Sequence, residues 1–153
     1  MGPAVPNQTA AKFGHPETLV RDYRHWCVLL RPQQVTLGAL VLVCKDEARR
    51  FPEITGGAFS ELAVATRDIE AALSAFRPFD KINYLMLMMV DPDVHFHVVP
   101  RYQAAQSFDG IDFPDPGWPG PPDLKQAAKP EGASLARLTR AIRDVWPIGP
   151  EAA

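Results

Sequence analysis

Two imidazoles and a carboxylate stand at alternate positions in Asp93-Val94-His95-Phe96-His97. On a β-strand, alternate side chains share a face. Asp93, His95 and His97 therefore point one way, while Val94, Phe96 and Val98 point the other way, into a core. Two of the chain's four histidines fall within this short stretch. Burying such groups without partners costs free energy, so the polar face is expected to meet solvent or a ligand. Three chemistries fit the residue types. The face is merely wetted; or two imidazoles and one carboxylate hold a zinc or iron ion; or a neutral imidazole attacks phosphorus and forms a covalent intermediate.

The neighbouring segments have to position that strand. Thr18–Asp22 and Trp26–Leu30 (WCVLL) read as strands, and Arg31-Pro32 ends the second. Gly38 precedes the apolar run Ala39–Cys44 (ALVLVC), whose valines and length favour a buried strand. Phe59, Leu62, Thr66, Ile69, Leu73 and Phe76 recur at three- and four-residue spacing, which predicts an amphipathic helix over 58–76 ended by Pro78. Ile82–Val90 (INYLMLMMV) reads as a central strand, its methionines as core packing. The Asp91-Pro92 break predicts a tight turn into an antiparallel neighbour over Val94–Pro100. Residues 103–130, with Phe108, Phe113 and Trp118 among many Pro and Gly, read as a long wrapped loop. Leu135, Leu138, Ile142 and Val145 mark a second helix, with Ser134 as its expected N-cap. The order of elements predicts an α+β domain on an antiparallel sheet.

Composition narrows the function classes. The chain has 153 residues, 46% hydrophobic and 22% charged, which suits one soluble globular domain. A net charge of −2 argues against a dedicated nucleic-acid binder. No apolar stretch approaches a membrane span, and the N-terminus has no charged-then-apolar leader, so no membrane partner is expected and a cytoplasmic setting is. Cys27 and Cys44 each sit in an apolar run and are expected as buried free thiols.

The segment Asp93-Val-His95-Phe-His97-Val-Val-Pro100-Arg101 resembles the motif of the histidine triad (HIT) superfamily, His-φ-His-φ-His-φ-φ, often followed by Pro-Arg. Asp93 stands where that motif has its first histidine. The likeness extends to Arg31–Val43 as a strand-turn-strand with Gly38, to the helix 58–76, to Lys81-Ile-Asn83-Tyr, and to Phe113-Pro and Trp118 downstream. It divides the chain into an irregular N-terminal arm (1–16), a HIT-like domain (17–127), and a C-terminal helix and tail (128–153). The fold implied is a HIT-like antiparallel sheet of about five strands with one long helix and a C-terminal helix.

What the resemblance implies is a nucleotide phosphohydrolase or nucleotidyl transferase, homodimeric through joined sheets, needing no cofactor and no metal in the motif. Its partner would be a nucleotide or nucleoside-phosphate conjugate. By position, His95 is the nucleophile that becomes nucleotidylated, and His97 contacts phosphate oxygens. Asn83 resembles a residue placing phosphate or ribose, and Arg101 either contacts substrate or pairs with Asp91 or Asp93.

Two departures matter. A carboxylate at Asp93 would orient His95 or His97 as carboxylates do in hydrolytic triads. It would also repel an anionic substrate, by around 4 kcal/mol for unit charges about 4 Å apart at an effective dielectric of about 20. Met88-Met89-Val90 is apolar where the bacterial subgroup carries small or polar residues. Together these leave open an impaired, nucleotide-binding or regulatory module on the same fold. Of the remaining histidines, His25 either lines a base pocket or, as is expected, is simply exposed, and His15 is expected to be solvated. Trp118 would either cap the site or pack in the dimer.

Overall fold

The computed structural model describes residues 3–149. The extreme ends of the expected arm and tail, residues 1–2 and 150–153, lie outside the described residues. Five strands form one antiparallel sheet in the order β1-β2-β3-β5-β4. They are β1 (Leu19–Asp22), β2 (Trp26–Leu30), β3 (Leu40–Cys44), β4 (Lys81–Leu85) and β5 (His95–Arg101). β2 and β3 are buried at every residue, as their unbroken apolar runs foretell.

The two faces of the sheet are covered by different helices. On one face Trp26, Val28, Leu30, Leu40 and Leu42 join Val94 and Val98 in the main core. There they meet α2 (Gly56–Phe76) and α3 (Gly132–Asp144). On the other face Cys27, Leu29, Val41 and Val43 are covered by Ala10 and Phe13. Those two residues belong to or adjoin α1 (Gln8–Lys12), so the arm expected to be irregular contains a helix. Asn7 caps it, its side chain accepting from the Ala10 N–H at 3.0 Å. Cys27 and Cys44 are buried and unpaired.

α2 starts where Thr55 accepts from the Ala58 N–H at 3.1 Å. It ends at Arg77, which is extended because Pro78 follows. Its buried residues are Ala58, Ala65, Ile69, Ala72 and Leu73, whereas Phe59 of the expected stripe is 43% exposed. Small residues on the inner face let the helix lie close to the sheet, so that Trp26 Nε1 donates to the Ala58 carbonyl at 2.8 Å. Gly38 is required by the same close packing. Its φ is +94°, and a Cβ there would sit 3.3 Å from Leu73 Cδ2.

Three sequence expectations need correction. Ile82–Val90 is not a central strand: β4 stops at Leu85 and occupies the sheet edge, and the link to β5 is the irregular segment 86–94 rather than a tight turn. The long loop contains a hairpin, β6 (Gln106–Phe108) and β7 (Ile111–Phe113). Its turn residues Asp109 and Gly110 both have positive φ, the signature of an Asp-Gly turn. Finally, Glu131 rather than Ser134 is the N-cap residue of α3. The Ser134 Oγ instead donates to Asp109 at 2.6 Å, tying helix to hairpin.

α3 is not peripheral. Leu138 and Ile142 lie in the main core, and Trp146 Nε1 donates to the Tyr23 hydroxyl at 2.9 Å. That hydroxyl in turn donates to Asp68 on α2 at 2.6 Å.

Candidate functional site

β5 carries the histidines on the α1 face of the sheet. His97 lies opposite Val41, and His95 opposite Val43, in the β3–β5 register. Val98 faces the main core, and Phe96 packs against it between Trp26 and Phe51. The alternation expected from the sequence therefore holds from His95 onward.

The two imidazoles meet edge to face, with centroids 5.2 Å apart. Phe13 lies against both, 6.3 Å from His95 and 5.9 Å from His97. Both histidines are buried in the protein matrix, yet both line a cleft of about 420 Å³. Lys12, Phe13, Arg31 and Asp91 line it too, as does the segment Leu87–Val90.

His95 Nδ1 lies 2.6 Å from the carbonyl oxygen of Asp93. A carbonyl can only accept, so Nδ1 bears the proton and Nε2 keeps its lone pair. The orienting group is thus the backbone of residue 93, and the expectation of its side chain in that role is corrected. The Asp93 carboxylate turns to the N-terminal helix instead. Oδ2 accepts from the Thr9 N–H at 3.1 Å and from Thr9 Oγ1 at 2.9 Å, and the Asp93 N–H donates to Thr9 Oγ1 at 3.1 Å. Asp93 precedes β5, so the strand geometry that would have aligned it with the imidazoles does not apply.

This reciprocal clasp satisfies the Asp93 carboxylate, which the contacts among the described residues pair with no cation. The carboxylate is held by two donors beside the first turn of α1, and Lys12 at the end of that helix ion-pairs with Asp91 at 2.7 Å. Arg31, at the end of β2, adds a second cation to the cleft. The sequence showed Arg31 only as a strand terminator, and nothing local marked Lys12 or Phe13. Tertiary folding alone brings residues 9–13 to residues 91–97.

His97 Nδ1 and Arg31 Nε are buried polar atoms without a protein partner. Burial, followed by the charges of Arg31 and His95, pushes the His97 pKa down to about 4. It is neutral at physiological pH and keeps one N–H to donate. Burial also lowers the pKa of Arg31, with Asp91 opposing.

The structure separates Asn83 and Arg101 from the histidines. Arg101 pairs with neither Asp91 nor Asp93. Its Nε and Nη2 bind Asp115 at 2.7 and 2.9 Å, and its Nη1 donates to Asn83 Oδ1 at 2.8 Å. Asp115 lies in the proline-rich segment whose side-chain contacts were not legible in the sequence. Asn83, Arg101 and Trp118 line a different recess, with Lys81 and Pro119–Pro121.

The other histidines differ from expectation in part. His25 is half-buried, with Nδ1 3.3 Å from Asp46. His15 is buried rather than solvated, and both ring nitrogens lack a protein partner. The methionine segment is corrected as well: Met86 and Met88 pack against the core, but Met88, Met89, Leu87 and Val90 line the cleft. A two-histidine, one-carboxylate metal set is not assembled, because Asp93 is bound to Thr9. Among the described residues no group of three or more His, Cys, Asp or Glu is placed to hold a metal.

No family model matches the chain, and no curated protein matches it in sequence. Solved structures do. A histidine triad protein from Sinorhizobium meliloti 1021 superposes with a TM-score of 0.70 at 20% identity, covering 91% of this chain and 94% of that one. One from Bradyrhizobium japonicum gives 0.69 at 20% identity, with 94% and 100% covered. The fold is that of the histidine triad proteins. A further histidine triad protein, from Marinobacter aquaeolei VT8, gives 0.68 at 22% identity over 84% of this chain and 87% of that one. Within the described residues of this histidine triad fold, no helix is long and apolar enough to cross a membrane.

Proposed function

We propose that this chain is a histidine triad protein that hydrolyses or transfers nucleotidyl groups through His95. One observation carries the reading: the Asp93 carbonyl fixes the His95 tautomer, leaving the Nε2 lone pair on a side chain that lines a cation-flanked cleft. A neutral imidazole so held is a competent nucleophile toward phosphorus.

In the first step Nε2 forms a bond to the α-phosphorus. The bond to the leaving group breaks, and that group departs with the electron pair and takes up a proton. Water then forms a new P–O bond, the P–N bond returns its pair to Nε2, and the water proton is lost to solvent. An alcohol in place of water gives transfer. His97, neutral and lining the cleft, donates an N–H to a phosphoryl oxygen, and Arg31 offsets its charge. Asp93 acts as a positioning residue, through its carbonyl on His95 and its carboxylate on Thr9. Arg101 and Asn83 brace the far end of β5 against Asp115.

A solved relative in fold, from Sulfolobus tokodaii, is a hypothetical histidine triad nucleotide-binding protein, with a TM-score of 0.62 at 18% identity over 84% of this chain and 82% of that one. Its name supports a nucleotide as the ligand class. β4 at the sheet edge leaves one side of its backbone unpaired, which supports a homodimer joined through that edge.

The test is incubation with a nucleoside phosphoramidate or a dinucleoside polyphosphate, followed by intact-mass detection of adduct. Turnover with a transient nucleotidyl adduct, both lost in His95→Asn, is expected. A folded protein with neither turnover nor adduct overturns catalysis of this kind. A second reading, a nucleotide-binding or regulatory module without turnover, is favoured by Met88-Met89-Val90, which offers no side-chain donor beside the phosphate. It requires measurable nucleotide binding with no hydrolysis, and no effect of His95→Asn other than on binding.

A further inference from the structure

The cleft is lined by groups of two chemical kinds. His95, His97 and Arg31, with the Lys12–Asp91 pair, are the polar groups that would meet a phosphoryl group. Four consecutive apolar residues, Leu87 to Val90, form an apolar wall, the other part of the lining. Leu87 is 48%, Met89 83% and Val90 81% exposed. Single exposed apolar residues are ordinary, but a contiguous exposed patch beside a polar pocket marks a binding surface.

The backbone presents that wall by an unfavourable route. Met88 has φ +53°, the left-handed region that side chains other than glycine or asparagine rarely adopt. Such a conformation is unfavourable and persists only where packing over-determines it. Here the Met88 side chain packs on the main core while its neighbours remain exposed along the cleft. The side chains on this wall offer no donor. The neighbouring carboxylate, Asp91, is paired with Lys12, so that lysine is already engaged and supplies little to a further anion. A polyphosphate or carboxylate leaving group lying along it would lose hydration without a replacement hydrogen bond. An apolar one would instead be stabilised by burial, and methionine adapts to varied apolar shapes.

We infer that this site takes amphiphilic phosphoryl conjugates. The anionic phosphoryl group sits at His95, His97 and Arg31, and the leaving group is a hydrocarbon or aromatic alcohol lying on Leu87–Val90. The inference rests on the nucleotidyl-transfer reading above and names its leaving-group class. In the step it describes, His95 Nε2 bonds to phosphorus and the P–O bond to the apolar group breaks. That group keeps the electron pair, takes a proton from water in the cleft and departs as a neutral alcohol. Water then displaces His95 and yields the nucleoside monophosphate.

The probes are adenosine 5′-monophosphate and its methyl, butyl and octyl esters. Calorimetry with the non-hydrolysing His95→Asn protein measures affinity, and hydrolysis by wild type gives kcat and KM. A fully buried methylene is worth about three- to fourfold in affinity, so burial of even part of the tail makes the octyl ester at least about tenfold tighter than the methyl ester. Adding Met89→Ser and Val90→Ser is expected to flatten the series, with thermal denaturation confirming the fold. Adenosine monophosphate that binds while the esters show no chain-length dependence overturns this inference alone. Failure of all four probes to bind overturns it together with the nucleotidyl reading. A slope that survives the double substitution also overturns it. Light scattering showing that the substitution dissociates a dimer while the slope persists would identify the wall as a subunit contact instead.

Discussion

Asp93 shows how a single residue can keep a position and change its job. Its carbonyl holds His95, which any residue could do, and its carboxylate holds Thr9, which few could. Asp93→Asn is therefore expected to leave kcat within a factor of a few of wild type, because the carbonyl remains and an amide oxygen still accepts from Thr9. A collapse of turnover in folded Asp93→Asn would show that the carboxylate itself takes part. Thr9→Val removes the hydroxyl that both donates to and accepts from Asp93, and is expected to cost about 1–3 kcal/mol in denaturant unfolding.

His97 supplies a second prediction. Its folded-state pKa, about 4, lies below its ordinary 6.5. Below pH 6.5 the unfolded chain binds a proton that the native state refuses. The contribution is thus complete above pH 6.5 and is lost progressively as the pH falls toward 4, by up to about 3 kcal/mol. Unfolding curves for wild type and His97→Gln between pH 7 and 4 check this: the wild type should lose more stability across that window.

At the scale of elements, α1 behaves as a wall of the cleft. Three links fix it: Thr9 to Asp93, Lys12 to Asp91, and the Asn7 side-chain N–H to the Cys44 carbonyl at 2.9 Å. Loosening it should expose the imidazoles behind Phe13. Thr9→Val is expected to speed carbethoxylation of His95 and His97 by diethyl pyrocarbonate, read by peptide mass; an unchanged rate would mean the helix does not shield them. On the opposite face, Gly38→Ala combines a positive φ with a Cβ pressed against Leu73. It is expected to lower the thermal midpoint, whereas an exposed glycine such as Gly56, with open space around it, is expected to tolerate alanine.

At the scale of the whole molecule, the sheet is asymmetric in its exposure. β2, β3 and β5 are enclosed, while β1 and β4 are the two edges with one neighbour each; α3 packs against β1, which leaves β4 as the more open edge. An exposed edge is a template for pairing. Light scattering is expected to report about twice the 16.9 kDa chain mass. A monomer at micromolar concentration would contradict pairing through β4. Two of the apolar surfaces outside the core are distinct: Leu87–Val90 borders the cleft, and Phe51 with Phe59 forms a ring pair beside Phe96.

Much of this was written locally. The β2 bounds, the β3 run, the long helix ended by Pro78 and the alternation of His95 and His97 with Phe96 and Val98 all follow from short-range pattern. So does the placement of two imidazoles on one face, because strand periodicity is a property of the backbone. The Asp109-Gly110 dipeptide is a turn signal in the sequence, but two three-residue strands give too little alternation to distinguish a hairpin from a loop. What only folding decided is which distant groups share the site. Thr9, Lys12 and Phe13 lie more than 80 residues from His95, and Arg31 more than 60. No spacing rule links them, because the antiparallel sheet and the helix on its far face set those distances. The same holds for Arg101, whose partner Asp115 is chosen by the course of a proline-rich segment, and for Asp93. The sequence placed a carboxylate beside two histidines. Whether it faced them depended on where β5 begins and on a threonine at the other end of the chain.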